Sequence, residues 1–75
     1  TNSEVAISVY VPTPGFLTVD LFDISGRRID RIHHEFKPSG NYSINYNLDG
    51  LSSGVYFVRC RTINNSAIKQ LVLLK

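Results

Sequence analysis

The chain has 75 residues, 43% hydrophobic and 19% charged, with a net charge of +2. That length allows one domain, and that composition excludes a disordered tail. The eight basic residues are interspersed with acidic ones, which falls short of the footprint of a nucleic-acid-binding protein, and no apolar run approaches the roughly 20 residues of a membrane span.

Hydrophobic residues alternate with polar ones through most of the chain, which predicts strands rather than helices. Thr1-Asn2-Ser3 is polar, and residues 1–4 read as entry from an upstream linker into a single domain spanning 1–75. The first strand is expected over Val5–Val11, with Val5, Ile7, Val9 and Val11 on one face. Pro12-Thr13-Pro14-Gly15 ends it, because two prolines and a glycine cannot sustain a ladder. A second strand over Phe16–Asp23 turns Leu17, Val19 and Leu21 inward and Thr18 and Asp20 outward. Ile24-Ser25-Gly26-Arg27 then reads as a tight turn, with Gly26 free to take a positive φ and Asp23 accepting turn N–H groups.

The third strand, Arg28–Phe36, is irregular. Ile29 and Ile32 are an odd number of residues apart and cannot share a face of a regular strand, so a β-bulge near Asp30–Arg31 is expected. A loop at Lys37–Asn41, containing Gly40, leads to a fourth strand in which Tyr42, Ile44 and Tyr46 alternate with polar residues. After a connection at Leu48–Gly54, a fifth strand over Val55–Thr62 places Tyr56, Val58 and Cys60 on one face and Arg59 and Arg61 on the other. Ile63-Asn64-Asn65-Ser66 forms a hairpin turn. The sixth strand, Ala67–Leu74, is so continuously apolar that alternation does not assign its faces, and cover on both sides is one reading. Six short strands with regularly spaced turns make a small all-β, antiparallel sandwich of six to seven strands.

Little in this frame is equipped for catalysis. The single cysteine, Cys60, excludes an internal disulfide and reads as a small hydrophobe of the core, with pairing between chains as the alternative. His33 and His34 point to opposite faces and cannot easily share an ion. Asp20, Asp23 and Asp30 flank the Gly26 turn, where a calcium site is conceivable. Tyr42, Tyr46, Tyr56 and Phe57 are candidates for a sugar-binding platform, although the tyrosines share the inward parity of their strands. No serine sits in a nucleophile motif and no glycine-rich phosphate loop is present. The expectation is a non-enzymatic domain with no cofactor and no metal.

Taken in order, several segments carry a resemblance. Val19-Asp20-Leu21-Phe22-Asp23-Ile24-Ser25-Gly26-Arg27-Arg28-Ile29 is followed by a glycine before Tyr42-Ser43-Ile44, then by Leu51-Ser52-Ser53-Gly54-Val55-Tyr56, and finally by Lys69-Gln70-Leu71-Val72-Leu73-Leu74-Lys75. This pattern resembles the C-terminal sorting domain of the type IX secretion system, carried by exported proteins of Bacteroidetes and relatives, and is also similar to the Ig-like module of flagellar hook-capping proteins. The resemblance implies an Ig-like sandwich and a role in transport. A larger cargo would cross the inner membrane, and its folded C-terminal domain would be recognised in the periplasm and taken through an outer-membrane translocon. A sortase-like surface peptidase commonly removes such domains, leaving the cargo at the cell surface or secreted.

Carried onto this chain, the resemblance places recognition at Gly54 and Tyr56 and along the last strand, at Lys69, Leu71, Val72, Leu73, Leu74 and Lys75. Asp23, Gly26 and Gly40 are its turn residues. The family's usual Pro-Asn-Pro segment before the first strand is missing here, which would leave an edge open, and Tyr46 stands near the family's usual tryptophan. The final strand would be an edge suited to pairing with a receptor strand, and an open edge could also join two copies. The alternative is an accessory Ig-like module, structural or carbohydrate-binding, on a secreted hydrolase or surface protein. A flagellar assembly module is a third reading.

Overall fold

A computed structural model describes residues 4–74. Its six strands are β1 (Glu4–Val11), β2 (Gly15–Phe22), β3 (Arg28–Lys37), β4 (Gly40–Asn47), β5 (Gly54–Arg61) and β6 (Ser66–Leu73). β1 therefore takes in Glu4, which pairs with Asn47 and belongs to the sheet rather than to a linker; residues 1–3 lie outside the described residues. The strands form two antiparallel sheets, β1-β4 and β3-β2-β5-β6, the small Ig-like sandwich expected. Among the described residues no helix is long and apolar enough to cross a membrane.

Alternation puts one row from each strand into the space between the sheets. Ile7, Val9 and Val11 of β1 meet Leu17, Val19 and Leu21 of β2, with Tyr56 and Val58 of β5 and Leu73 of β6 closing the core. Leu17, Val19 and Leu21 are completely buried, as befits a strand with neighbours on both sides. Each such side chain contributes about 1.5–3 kcal/mol of hydrophobic stabilisation. Leu48, from the β4–β5 connection, is also buried.

Thr18 and Asp20 face outward as expected, and two features of burial still depart from the alternation pattern. Thr18 and Asp20 are buried although they lie on the side of β2 away from the sandwich interior. On β3 and β5 their partners are His34, Arg31, Arg61 and Arg59, and these long side chains fold over the middle of the sheet. The second departure is β6. Leu73 is buried and Leu71 packs against the core, but Ile68 and Val72 are 65% and 54% exposed. The strand is covered on one face only.

The irregularity in β3 is resolved by two bulges instead of one. Between Val19 and Asp20 the partner on β3 jumps from His33 to Arg31, and between Leu21 and Phe22 it jumps from Asp30 to Arg28. Ile32 and Ile29 are thus the extra residues, on either side of the expected position. Ile32 packs against the core, whereas Ile29 stays largely exposed.

Candidate functional site

Among the described residues, β6 is the outermost strand of its sheet, bonded to β5 on one side only. Its free main chain is a template for a further strand. Beside it, in the other sheet, runs the edge of β1. An opening of 220 Å³ separates them, lined by Val5 and Ile7 of β1, Val58 and Cys60 of β5, and Lys69 and Leu71 of β6. Lys69 has the parity of Leu71 and Leu73 but is exposed, so its ammonium lies at the mouth of this opening. Cys60 is half-buried there; burial pushes its thiol pKa up, against a smaller opposing effect of the Lys69 charge. The thiol is therefore a poor nucleophile.

The expected recognition residues divide into two groups. Leu71 and Leu73 hold β6 down. Val72 and Leu74, 54% and 85% exposed, share the outward face with Ile68, with Gln70 between Ile68 and Val72. Lys75 lies outside the described residues.

Gly54 and Tyr56 do not join this surface. Gly54 starts β5 at φ 157°, with nothing within 4 Å of where a Cβ would stand. That backbone region is essentially reserved for glycine. Two residues on, the Tyr56 ring is buried and its hydroxyl donates to the Ser52 carbonyl at 2.6 Å. The hydroxyl of this expected recognition residue is committed to its own turn. Tyr42 repeats the device, donating to the Pro38 carbonyl at 2.5 Å. Such tyrosine-to-backbone bonds fix the corners of β-sandwiches.

The other candidate sites dissolve into structural contacts. Asp23 accepts from the backbone N–H groups of Ser25 and Arg27 at 2.9 and 3.0 Å and from the Ser25 hydroxyl at 2.6 Å. The Ser25 hydroxyl and the Arg27 N–H lower its pKa to about 2. Gly26 completes the turn at φ 89°. Asp20 accepts from Arg31 Nε at 3.0 Å and from Arg59 at 3.2 Å. Burial raises its pKa, but the hydrogen bonds and charges of the two arginines outweigh that and hold it below the usual carboxylate range. Asp30 accepts from the Tyr46 hydroxyl at 2.8 Å; burial, then this bond, pushes the phenol up to about 12. The three carboxylates thus face separate sets of partners, and among the described residues no cluster is suited to a metal ion.

His33 and His34 do lie on opposite faces: His34 Nδ1 is 2.9 Å from Thr18 Oγ1, while His33 Nε2 is 3.8 Å from Glu35. The tyrosines pack against the core through β4 and β5, so they form no sugar platform. What sequence reasoning missed is the Asp20 triad. A carboxylate amid basic residues on the flanking strands was its only signal, and reading it needs the register.

Comparison with curated proteins and with solved structures returns no match. A family model, described as a secretion system C-terminal sorting domain, matches residues 1–74. Sequence order, sandwich fold and this match agree, and the chain belongs to the family of type IX secretion C-terminal sorting domains.

Proposed function

We propose that this domain is the sorting signal of a larger exported protein and is read chiefly along β6. The observation that carries the reading is the division of labour within that strand. Leu71 and Leu73 anchor it, while its outer main-chain edge is open and Ile68, Val72 and Leu74 stand apolar in solvent. A receptor strand adding to this edge would gain a ladder of main-chain hydrogen bonds and read alternate side chains. Lys69 at the mouth of the opening would discourage pairing between copies until a receptor supplies a better fit.

On this reading the folded domain, still attached to its cargo, is recognised in the periplasm by the type IX machinery. It passes through the outer-membrane translocon and is presented to a sortase-like peptidase. Gly54 and Tyr56 shape the turn that leads into β5 and so act indirectly, by holding the strand on which β6 is laid. The test is the location of a secretory reporter ending in this domain. Removing Leu71–Lys75 asks whether the strand is needed at all. Changing only its outward side chains asks whether it is read.

A further inference from the structure

The outer face of the four-stranded sheet carries a second surface, which goes beyond the edge reading and does not depend on it. At the end of the sheet where β2 begins, two parallel rows cross the strands. In the first, Phe36 and Phe16 are neighbours in register, and Ile63 of the β5–β6 turn folds over Gly15, whose Cβ position would lie 3.2 Å from it. These three side chains are 57–63% exposed. The second row, two residues along, reads His34, Thr18, Arg61. Phe16 stacks on His34 at 5.1 Å and meets Phe36 edge-on at 6.1 Å. Together the rows wall an open cleft of 520 Å³.

The chemistry of this cleft is one-sided. No acidic residue lines it. Arg61 is exposed and has no ion pair among the described residues. Beyond it the next row, Arg31, Asp20 and Arg59, holds two arginines against one aspartate. An occupant must therefore bring an apolar group for the first row and negative charge for the second, roughly 7 Å away along the strand. A neutral sugar would bring no charge to Arg61 and would find the Thr18 hydroxyl already engaged by His34. A bilayer would need protruding apolar tips rather than a concave wall. The cleft also lies at the far end of β1 from Glu4, roughly 23 Å along that strand.

We infer that this cleft binds an extended acidic segment of a protein partner, seating an aromatic or aliphatic side chain between Phe36, Phe16 and Ile63 and a neighbouring carboxylate on Arg61. The test is an amide-resolved NMR titration of the 75-residue chain with the probe acetyl-Gly-Asp-Phe-Asp-Gly-amide, against the same peptide with asparagines for the aspartates. Vesicles of phosphatidylglycerol and a soluble polygalacturonate serve as competing probes. Shifts are expected at Gly15, Phe16, His34, Arg61 and Ile63, with affinity about fivefold or more weaker for the asparagine peptide and for Arg61→Gln, as loss of an exposed charge-assisted bond gives. Arg61→Gln should keep the wild-type spectrum elsewhere, and Ile63→Ser should weaken the probe without changing its salt dependence. Absence of shifts at the cleft, equal binding of the asparagine peptide, or occupation by vesicles or polyuronate in preference to the peptide would overturn the inference. None of these outcomes bears on β6, so the two readings fail separately.

Discussion

The Tyr56 hydroxyl donates to the Ser52 carbonyl at 2.6 Å, across the turn that Gly54 completes. A local contact thus ties Tyr56 back to Ser52, two residues before Gly54. Tyr56→Phe removes one hydrogen bond and keeps the buried ring, so it should cost about 1 kcal/mol. Tyr56→Ala should cost about 3–5 kcal/mol, since the core loses an aromatic ring. Gly54→Ala meets no steric obstacle and should cost on the order of 1–3 kcal/mol through its backbone alone. Urea unfolding of the three variants checks the order. A Tyr56→Phe variant as unstable as Tyr56→Ala would mean that the corner bond governs the fold.

Among the described residues, Asp20 is the one acid buried in the sheet, and Arg31 and Arg59 pair with it. Asp20→Asn leaves two guanidinium groups side by side without their anion. The expected loss is about 2–3 kcal/mol at neutral pH, below that of a fully buried pair because both arginines stay partly in water. Adding Arg59→Gln should recover part of it. If the double variant is less stable than Asp20→Asn, Arg59 contributes mainly through its packing on the Phe22 ring, 4.9 Å away.

The same carboxylates set the acid limit of the fold. Asp20 and Asp23 both have folded-state pKa values below their ordinary ones, Asp23 at about 2. Their stabilisation is fully present above the unfolded carboxylate pKa, about 4, and is lost as pH falls through the folded values. Stability should hold steady from pH 7 to about pH 5 and drop between about pH 4 and pH 2. In Asp20→Asn that decline should be shallower. A decline centred near pH 6 would contradict this assignment to the carboxylates.

Most of the architecture was legible because β-alternation survives in β1, β4 and β5, and the turns carry their own chemistry in Pro12, Pro14, Gly26 and Asp23. The faces of β2 were half legible. Leu17, Val19 and Leu21 announced the core, but polar Thr18 and Asp20 suggested solvent, and only the register reveals the arginines and histidine folded above them. β6 was ambiguous because it is apolar on both faces. Its inner apolar residues serve folding. Its outer ones are exposed, and no periodicity could separate the two. The outer cleft was illegible for a similar reason, since Phe16, Phe36 and Ile63 come from three separate elements.

Lys69 should act as a guard at the open edge. It is exposed at the mouth of the opening between β1 and β6, so Lys69→Val should leave the monomer folded and raise its tendency to pair through β6. Sedimentation over a concentration series would detect this as a dimer absent from the wild type. An unchanged monomer would mean that the edge is protected by something other than charge.

The most direct test of the central claim is the cellular location of a reporter with a secretory signal peptide at its start and this domain at its end, in a bacterium with a working type IX system. The decisive variant is Ile68→Lys combined with Val72→Lys. Both residues are exposed, and each change should alter stability by no more than about 0.5 kcal/mol. The account predicts the wild-type reporter at the cell surface or in the medium, and the variant folded but retained in the periplasm. Export of the folded variant at the wild-type level would contradict the claim that the machinery reads the outward face of β6.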